Sequence, residues 1–123
     1  MAVLETLVYQ VLRDHAGVSA LVSGRVYPMM LPQGCALPAI SYQRVSTDHV
    51  ASLDGYSGLE RVRIQIDVMA STYAGAKALA AQAMNAMDST LLFKCVPDSQ
   101  IDMLENDEST YRVSIDFMVW NSP

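Results

Sequence analysis

Residues 61–69 read Arg61-Val62-Arg63-Ile64-Gln65-Ile66-Asp67-Val68-Met69, and this stretch decides the fold of the chain. Polar and apolar residues alternate along it, which is typical of a β-strand with one buried face. The apolar side chains are therefore predicted to face a core, and the polar ones to face away from it. At Ser71-Thr72-Tyr73 the alternation stops and a helical pattern begins. We predict a strand over 60–70, followed at once by a helix over 73–88.

The helix over 73–88 is predicted from one apolar stripe at helical spacing. The stripe consists of Ala76, Leu79, Ala80, Ala83 and Met87. Because Ser and Thr side chains accept hydrogen bonds from free backbone N–H groups, Ser71 or Thr72 is expected to cap the start of this helix.

A second amphipathic helix is predicted over residues 2–14. Its apolar residues at helical spacing are Leu4, Leu7, Val8, Val11 and Leu12. We expect the helix to end with Gly17 in the left-handed conformation. A single helical turn over 18–22 is then expected, and its residues predicted to cover the core are Ala20, Leu21 and Val22.

Four further extended segments are predicted. Residues 25–28 form a short one, because Tyr27 precedes a proline and that position disfavours helix. A strand over 39–46 places Ile40 and Tyr42 on one face. A strand over 100–105 is expected with Ile101 and Met103 inward, while 91–96 is apolar but ambiguous and Pro97 ends it. The last strand alternates Tyr111, Val113, Ile115, Phe117 and Val119 with polar or larger residues.

Two segments are predicted to be loops although they carry apolar residues. The first, 29–38, contains two prolines and a glycine, yet it begins with Met29, Met30 and Leu31. It either folds back on the core or is covered by a partner. The second, 47–58, contains two turn pairs and is predicted to be too long for a tight hairpin. Its apolar residues are Val50, Leu53 and Tyr56.

The predicted element order is α-α-β-β-β-α-β-β. Short connections favour antiparallel neighbours, so the predicted fold class is α+β, a mostly antiparallel β-sheet with helices packed on one face. A chain of 123 residues is most simply one domain, spanning 1–123.

The composition indicates a surface for a partner protein and argues against a nucleic-acid-binding surface or a membrane segment. Hydrophobic residues make up 51% of the chain and charged residues only 17%, so a small monomer would expose apolar surface. The net charge is −5 and no Lys/Arg cluster is present, which argues against a surface that binds the phosphates of nucleic acids. No signal peptide and no membrane-length apolar run are recognised, so we expect a soluble protein made in the cytoplasm.

Residue types that carry chemistry show no catalytic, cofactor or metal pattern. Cys35 and Cys95 lack metal-site spacing and are interpreted as reduced, half-buried thiols, with a disulfide or a nucleophile as alternatives. His15 and His49 have no ligands at suitable spacing on the same element. Glu105, Asp107 and Glu108 are interpreted as a solvated turn rather than a cation site. We therefore predict that the protein is not an enzyme.

Several stretches, in this order and spacing, resemble one protein family. They are residues 18–28, Leu31-Pro32-Gln33-Gly34, residues 37–43, Leu53-Asp54-Gly55, residues 59–68, Thr72-Tyr73-Ala74-Gly75-Ala76 and residues 111–117. Together they are similar to the tail completion proteins of long-tailed bacteriophages and prophages, also called tail terminator or tail-to-head joining proteins. The likeness covers nearly the whole chain and is weakest over 91–108.

This resemblance implies a structural virion protein that forms a ring, commonly a hexamer, at the head-proximal end of the tail tube. The ring stops tube growth and offers a surface for the head. Implied partners are further copies of the chain, the tail tube protein and the head–tail connector protein. DNA would pass through the ring without specific binding, and no membrane is involved. Assembly would take place in the cytoplasm of the bacterial host.

The resemblance implies no catalytic residues, cofactors or metals for this chain. The candidate site residues are therefore taken from the two apolar loops. The residues expected to make subunit or tube contacts are Met29, Met30, Leu31, Val50, Leu53 and Tyr56. The alternative is that these side chains pack on the subunit's own core.

Two other functions stay open at this point. A small α+β ligand- or protein-binding module without catalytic activity would present a concave pocket near Tyr42 and Tyr56. A hydrolase would need titratable groups clustered in a cleft.

Overall fold

The secondary structure follows the predicted order. The computed structural model describes residues 3–53, 55–105, 107 and 109–122, and at 52, 56 and 57 it describes the backbone alone. In chain order the elements are α1 Leu4–Asp14, α2 Ala16–Val22, β1 Val26–Pro28, β2 Ala39–Ser52, β3 Gly55–Ala70, α3 Tyr73–Ser89, β4 Lys94–Leu104 and β5 Tyr111–Asn121.

The strands form one sheet in the order β1-β2-β3-β5-β4. The short β1 pairs with β2 in parallel, and the other three pairings are antiparallel. The helices contact the sheet: α1 lies against β1 and β2, and α3 lies against β3, β5 and β4. The predicted α+β class and element order are confirmed.

The alternation in β3 separates the core from the opposite face as predicted. Val62, Ile64, Ile66 and Val68 are fully buried. The register places them beside the inward residues of β5, which are Val113, Ile115, Phe117 and Val119. Residues of α3 complete the core, and all five members of its predicted stripe are buried. Burial of this apolar surface is the main force that holds helices and sheet together.

The start of α3 is capped as predicted. Thr72 has an extended backbone, and its hydroxyl accepts a hydrogen bond of 3.0 Å from the backbone N–H of Gly75. This bond satisfies one of the N–H groups that the first turn of a helix leaves without a partner.

Replacing Thr72 with Ala is therefore expected to lower the free energy of unfolding by about 1 kcal/mol. Urea titration of the variant measures this loss. Ser71→Ala, next to the cap, serves as the control and should change stability by less than about 0.5 kcal/mol. Equal losses in both variants would contradict the cap assignment.

The predicted junction after α1 is wrong. Gly17 lies inside α2 rather than at a left-handed exit, and α1 ends before His15, whose backbone is extended. The His15 Nδ1 atom accepts a hydrogen bond of 3.2 Å from the N–H of Val18 and so caps α2. A Cβ atom at position 17 would lie only 2.0 Å from the Gln82 side-chain oxygen, so the flexible Gln82 side chain of α3 would have to move if a larger residue stood there.

The predicted core contacts of α2 are also partly wrong. Val18 and Val22 are buried, whereas Ala20 and Leu21 are exposed. Because α2 is a seven-residue helix rather than a single turn, residues four apart share its buried face.

The prediction of a long loop over 47–58 is wrong as well. The segment forms the end of a β-hairpin in which β2 runs to Ser52 and β3 starts at Gly55. Gly55 has a φ of 112°, a backbone conformation that other residues rarely adopt. The pairing contains irregularities after Arg44 and after Val50, which shift the register.

The prediction that Ile101 and Met103 point inward is wrong, and the reason is a β-bulge. Strand β4 starts at Lys94 and continues through Pro97, where the pairing with β5 shifts by one residue. A one-residue shift moves every later side chain to the other face. Ile101 and Met103 therefore lie beside Ser114 and Arg112 on the face away from the helices, at 57% and 41% exposure.

Candidate functional site

The end of the β2–β3 hairpin projects beyond the rest of the sheet. Strand β5 ends opposite Glu60, so residues 55–59 of β3 pair with β2 alone. At about 3.3 Å per residue this arm extends roughly 16 Å. Leu53 at its tip is fully exposed, and Val50 is half-buried. The side chain of Tyr56, the third predicted contact in this segment, lies outside the described residues.

An ion-pair network fixes the base of this hairpin arm to α1. The Arg44 guanidinium lies 2.7 Å from Glu5 Oε1 and 3.5 Å from Glu60 Oε1, and it donates to the Thr47 hydroxyl at 3.0 Å. The Asn121 amide donates to Glu60 at 3.0 Å. Since the side chain of Glu60 is only 13% exposed, these partners replace the water that would otherwise surround the carboxylate.

Replacing Arg44 with Ala should lower the free energy of unfolding by about 1–3 kcal/mol, because Glu60 would keep a half-buried charge without its cation. The additional change Glu60→Gln should recover part of the loss. Urea titration measures both effects. Arg61→Ala is the matched control: its ion pair with Asp48 is exposed and should contribute less than about 0.5 kcal/mol. A harmless Arg44→Ala would contradict this role.

The methionine loop, residues 29–31, lies at the face of the sheet that carries no helix. Met29 and Met30 are 66% and 76% exposed, and Leu31 is half-buried. The N–H of Met29 donates to the carbonyl of Tyr42 at 2.8 Å, and its φ of 68° is strained for a residue with a side chain. A shallow cavity of about 410 Å³ lies between this loop and side chains that include Gln65 and Arg112. Neither exposed methionine packs in the core.

The helix-free face of the sheet carries arginines that are neutralised by carboxylates. Arg61 lies 3.3 Å from Asp48, and Arg63 lies 2.6 Å from Asp98 and 3.2 Å from Asp116. Arg112 Nε lies 2.6 Å from Glu105, a purely electrostatic contact because its N–H group does not point at that oxygen. Carboxylates therefore offset the positive charge of these three side chains.

The two cysteines are free thiols and half-buried, as predicted. Cys95 lies beside α3, and its thiol donates to the carbonyl of Met87 at 3.2 Å. Burial, with a contribution from the Asp88 charge, raises the pKa of Cys95 from 9.0 to about 11. A thiol with so high a pKa is a poor nucleophile at neutral pH.

In a Cys35→Ser background, Cys95 should react with a maleimide at least tenfold more slowly in the native chain than in the unfolded chain at about pH 8. The raised pKa lowers the thiolate fraction about 100-fold there. Because the folded pKa lies above the unfolded one, stability should also fall as the pH rises from 9.0 to about 11. Equal labelling rates in native and unfolded chains would contradict this environment.

The remaining polar candidates have structural contacts. His49 Nδ1 lies 3.9 Å from Glu60, while its neighbour Asp48 pairs with Arg61 on the opposite face, as adjacent residues of a strand must. Asp107 accepts hydrogen bonds from the N–H groups of Ser109 and Thr110, and these bonds lower its pKa. Glu108 lies outside the described residues. Over the described ranges, no group of three or more His, Cys, Asp or Glu side chains is placed to hold a metal ion.

The pocket expected near Tyr42 is not supported by the position of that residue. Tyr42 is 8% exposed, and its ring centroid lies 6.2 Å from that of Tyr9 in the core. A concavity of about 540 Å³ lies elsewhere, beside the base of the hairpin arm, between apolar residues of α1 and of the segment after α3. Its polar lining includes Arg44 and Glu60, which already bind each other.

None of the helices in the described part of the chain has the length and hydrophobicity to span a bilayer.

The chain matches the sequence model of a protein family and is similar in fold to solved structures. The sequence model of the family Tail completion protein gp17 matches residues 6–122. A solved structure, described as the virion of a native gene transfer agent particle, superposes with a TM-score of 0.79 at 22% identity and covers 95% of this chain and 92% of that one. A crystal structure from Akkermansia muciniphila reaches a TM-score of only 0.42 at 10% identity, covering 70% and 42%. No curated protein matches the chain.

Proposed function

Because the chain belongs to the tail completion protein gp17 family, we propose that it forms a hexameric ring at the head-proximal end of a phage tail tube. Family membership makes the chain a structural virion protein rather than an enzyme. The proposed ring ends the growth of the tube and provides the surface to which the head binds. The observation that carries this proposal is the family match over residues 6–122.

The extent of that match supports a single tail-terminator-like domain over 1–123. The likeness to a chain of a gene transfer agent virion at 92% coverage of that chain is consistent with a subunit of this size and fold within a phage-like particle. At 22% identity, the TM-score of 0.79 supports the fold.

Two exposed apolar segments are proposed as contact surfaces. The hairpin arm carries Leu53 at its tip, and an isolated two-stranded ribbon is only marginally stable in water, so contact with a partner would stabilise it. The methionine loop presents adaptable side chains, which are common at contact surfaces. The residues proposed to contact another subunit, the tail tube protein or the head–tail connector protein are Met29, Met30, Leu31, Val50, Leu53 and Tyr56.

The passage of DNA is consistent with the charge of the helix-free face. The chain has a net charge of −5, and three arginines of this face are already engaged by carboxylates. If this face lines the ring, it repels phosphates rather than binding them, and DNA slides through without specific contacts. The proposed location is the head–tail interface of the virion, after assembly in the cytoplasm of the bacterial host.

Deleting the gene for this chain from its phage or prophage tests the proposal. We expect tails of uncontrolled length and separate, filled heads in electron micrographs, and we expect expression of the chain from a plasmid to restore joined particles. Tails of normal length that still join to heads in the deletion strain would contradict the proposed function.

A further inference from the structure

One edge of the sheet has a segment with exposed apolar side chains. The first half of β4 carries Lys94 and Pro97, and both a lysine and a proline hinder the pairing of an edge strand with another chain. In the second half, residues 99–104, the one charged residue is Asp102, which binds Lys77 of α3, and three apolar side chains are exposed. They are Ile101, Met103 and Leu104, at 57%, 41% and 52% exposure. No described strand pairs with the outer side of this segment.

The opposite edge of the sheet offers a segment of the same length. Strand β1 covers β2 only over residues 40–42, so residues 43–48 of β2 have no described strand on their outer side. Val45, at the irregularity of this strand, is 46% exposed. The two ends of one sheet therefore present two different six-residue edges, one with three exposed apolar side chains and the other with one.

We propose that residues 99–104 of one copy pair with residues 43–48 of the next copy as antiparallel strands. This inference rests on the proposed ring and names the contact that closes it. Along the sheet, β2, β3, β5 and β4 alternate in direction, so β2 and β4 run in opposite directions. If the ring axis runs along the strands, the rotation that relates one copy to the next leaves the strand directions unchanged. Strand β4 of one copy then lies antiparallel to β2 of the next copy. A contact between two different patches is the kind that generates rings.

The proposed ring favours this pairing over the pairing of β4 with itself, because a self-paired β4 would close as a dimer and leave no edge for a third copy. The carboxylates at this edge are already bound within the subunit: Asp98 by Arg63, Asp102 by Lys77 and Glu105 by Arg112. Residues 43–48 carry Arg44 and Asp48, whose charges cancel. The charges of the two edges therefore do not oppose the contact.

Engineered disulfides test the pairing in the full chain. In a background of Cys35→Ser and Cys95→Ser, Ile101→Cys is combined in turn with Gln43→Cys, Ser46→Cys or Asp48→Cys. The register places all four positions on the helix-free face, so one combination should meet the Cβ spacing of a disulfide. Each variant is oxidised in solution and on purified tails, and covalent species are counted on a non-reducing gel. Ile101→Cys alone and Ile101→Cys with Ser71→Cys, an exposed position beside α3, are the controls.

The inference predicts a ladder of covalent oligomers for one of the three combinations, ending at a closed ring, with monomers in both controls. A single covalent dimer from Ile101→Cys alone would overturn it in favour of a self-paired β4. Absence of any ladder while the unmodified chain still caps tail tubes in micrographs would overturn the edge contact and leave the proposed function intact. Failure of the unmodified chain to associate with itself or with tails would overturn both.

Discussion

Leu53→Asp is expected to abolish tail completion while the subunit itself remains as stable as before. Leu53 is fully exposed at the tip of the hairpin arm, so the change removes no contact within the subunit. Its effect on the free energy of unfolding should stay within about 0.5 kcal/mol. In the proposed assembly the same change places a carboxylate in an apolar contact, and an uncompensated charge there is costly. We expect joined particles to fall at least about tenfold, since 1.4 kcal/mol already corresponds to a factor of ten.

Complementation of the deletion strain, with joined particles counted by electron microscopy, measures this effect. Ser19→Asp, which adds the same charge at an exposed position of α2, is the matched control and should complement fully. Normal complementation by Leu53→Asp would show that the tip of the hairpin arm makes no contact needed for tail completion. A large loss of stability would instead show that the tip packs on its own subunit.

Phe117→Ala is expected to have the largest effect on stability. Phe117 is 1% exposed and lies directly across from the fully buried Ile64 at the centre of the sheet. Truncating a buried phenylalanine costs about 3–5 kcal/mol, because apolar burial is lost and a cavity is left. Total stabilities of about 5–15 kcal/mol are usual for a domain, so the variant should lose a large part of its stability.

Urea titration of purified protein measures that loss, and Met118→Ala is the control one residue away. Met118 is half-buried on the opposite face of β5, so its truncation should cost about 1 kcal/mol or less. Phe117→Leu should fall between the two because it keeps most of the buried volume. Similar losses for Phe117→Ala and Met118→Ala would contradict the assignment of faces in β5.

Simple alternation was sufficient to predict the faces of the inner strands. In β3 and β5 the apolar residues recur every second position without a break, and every one of them from Val62 to Val68 is buried. The α3 stripe and the Thr72 cap are local patterns too, and both are confirmed. These features depend on neighbours in the sequence, which is why the sequence predicts them.

Features set by pairing between distant residues were missed. The bulge near Pro97 depends on how β4 meets β5, and it places Ile101 and Met103 opposite to the predicted face. The hairpin at 47–58 contains two turn pairs, and only the register of β2 with β3 shows which part of the segment forms strands. Gly17 matched the pattern of a helix end, but it lies inside α2, because the chain changes direction at His15 instead.

Among the candidate contact residues, too, the sequence predicts the local features and misses those that depend on distant residues. Exposure of Met29, Met30 and Leu53 agrees with the prediction that these apolar residues serve a partner, and the contacts themselves stay a prediction. Sequence patterns gave no sign of the Arg44 network, because Glu5, Arg44 and Glu60 come from three separate elements. They also gave no sign of the exposed edge at 99–104, because the bulge that creates it was not foreseen.

Imaging of purified tails by cryo-electron microscopy tests the central claim most directly. We predict a single ring at the head-proximal end of each tail, with hexameric symmetry and density that fits the five-stranded sheet and three helices formed by the described residues of this chain. Density for the chain along the whole tube, at the opposite end, or nowhere in the particle would contradict the account.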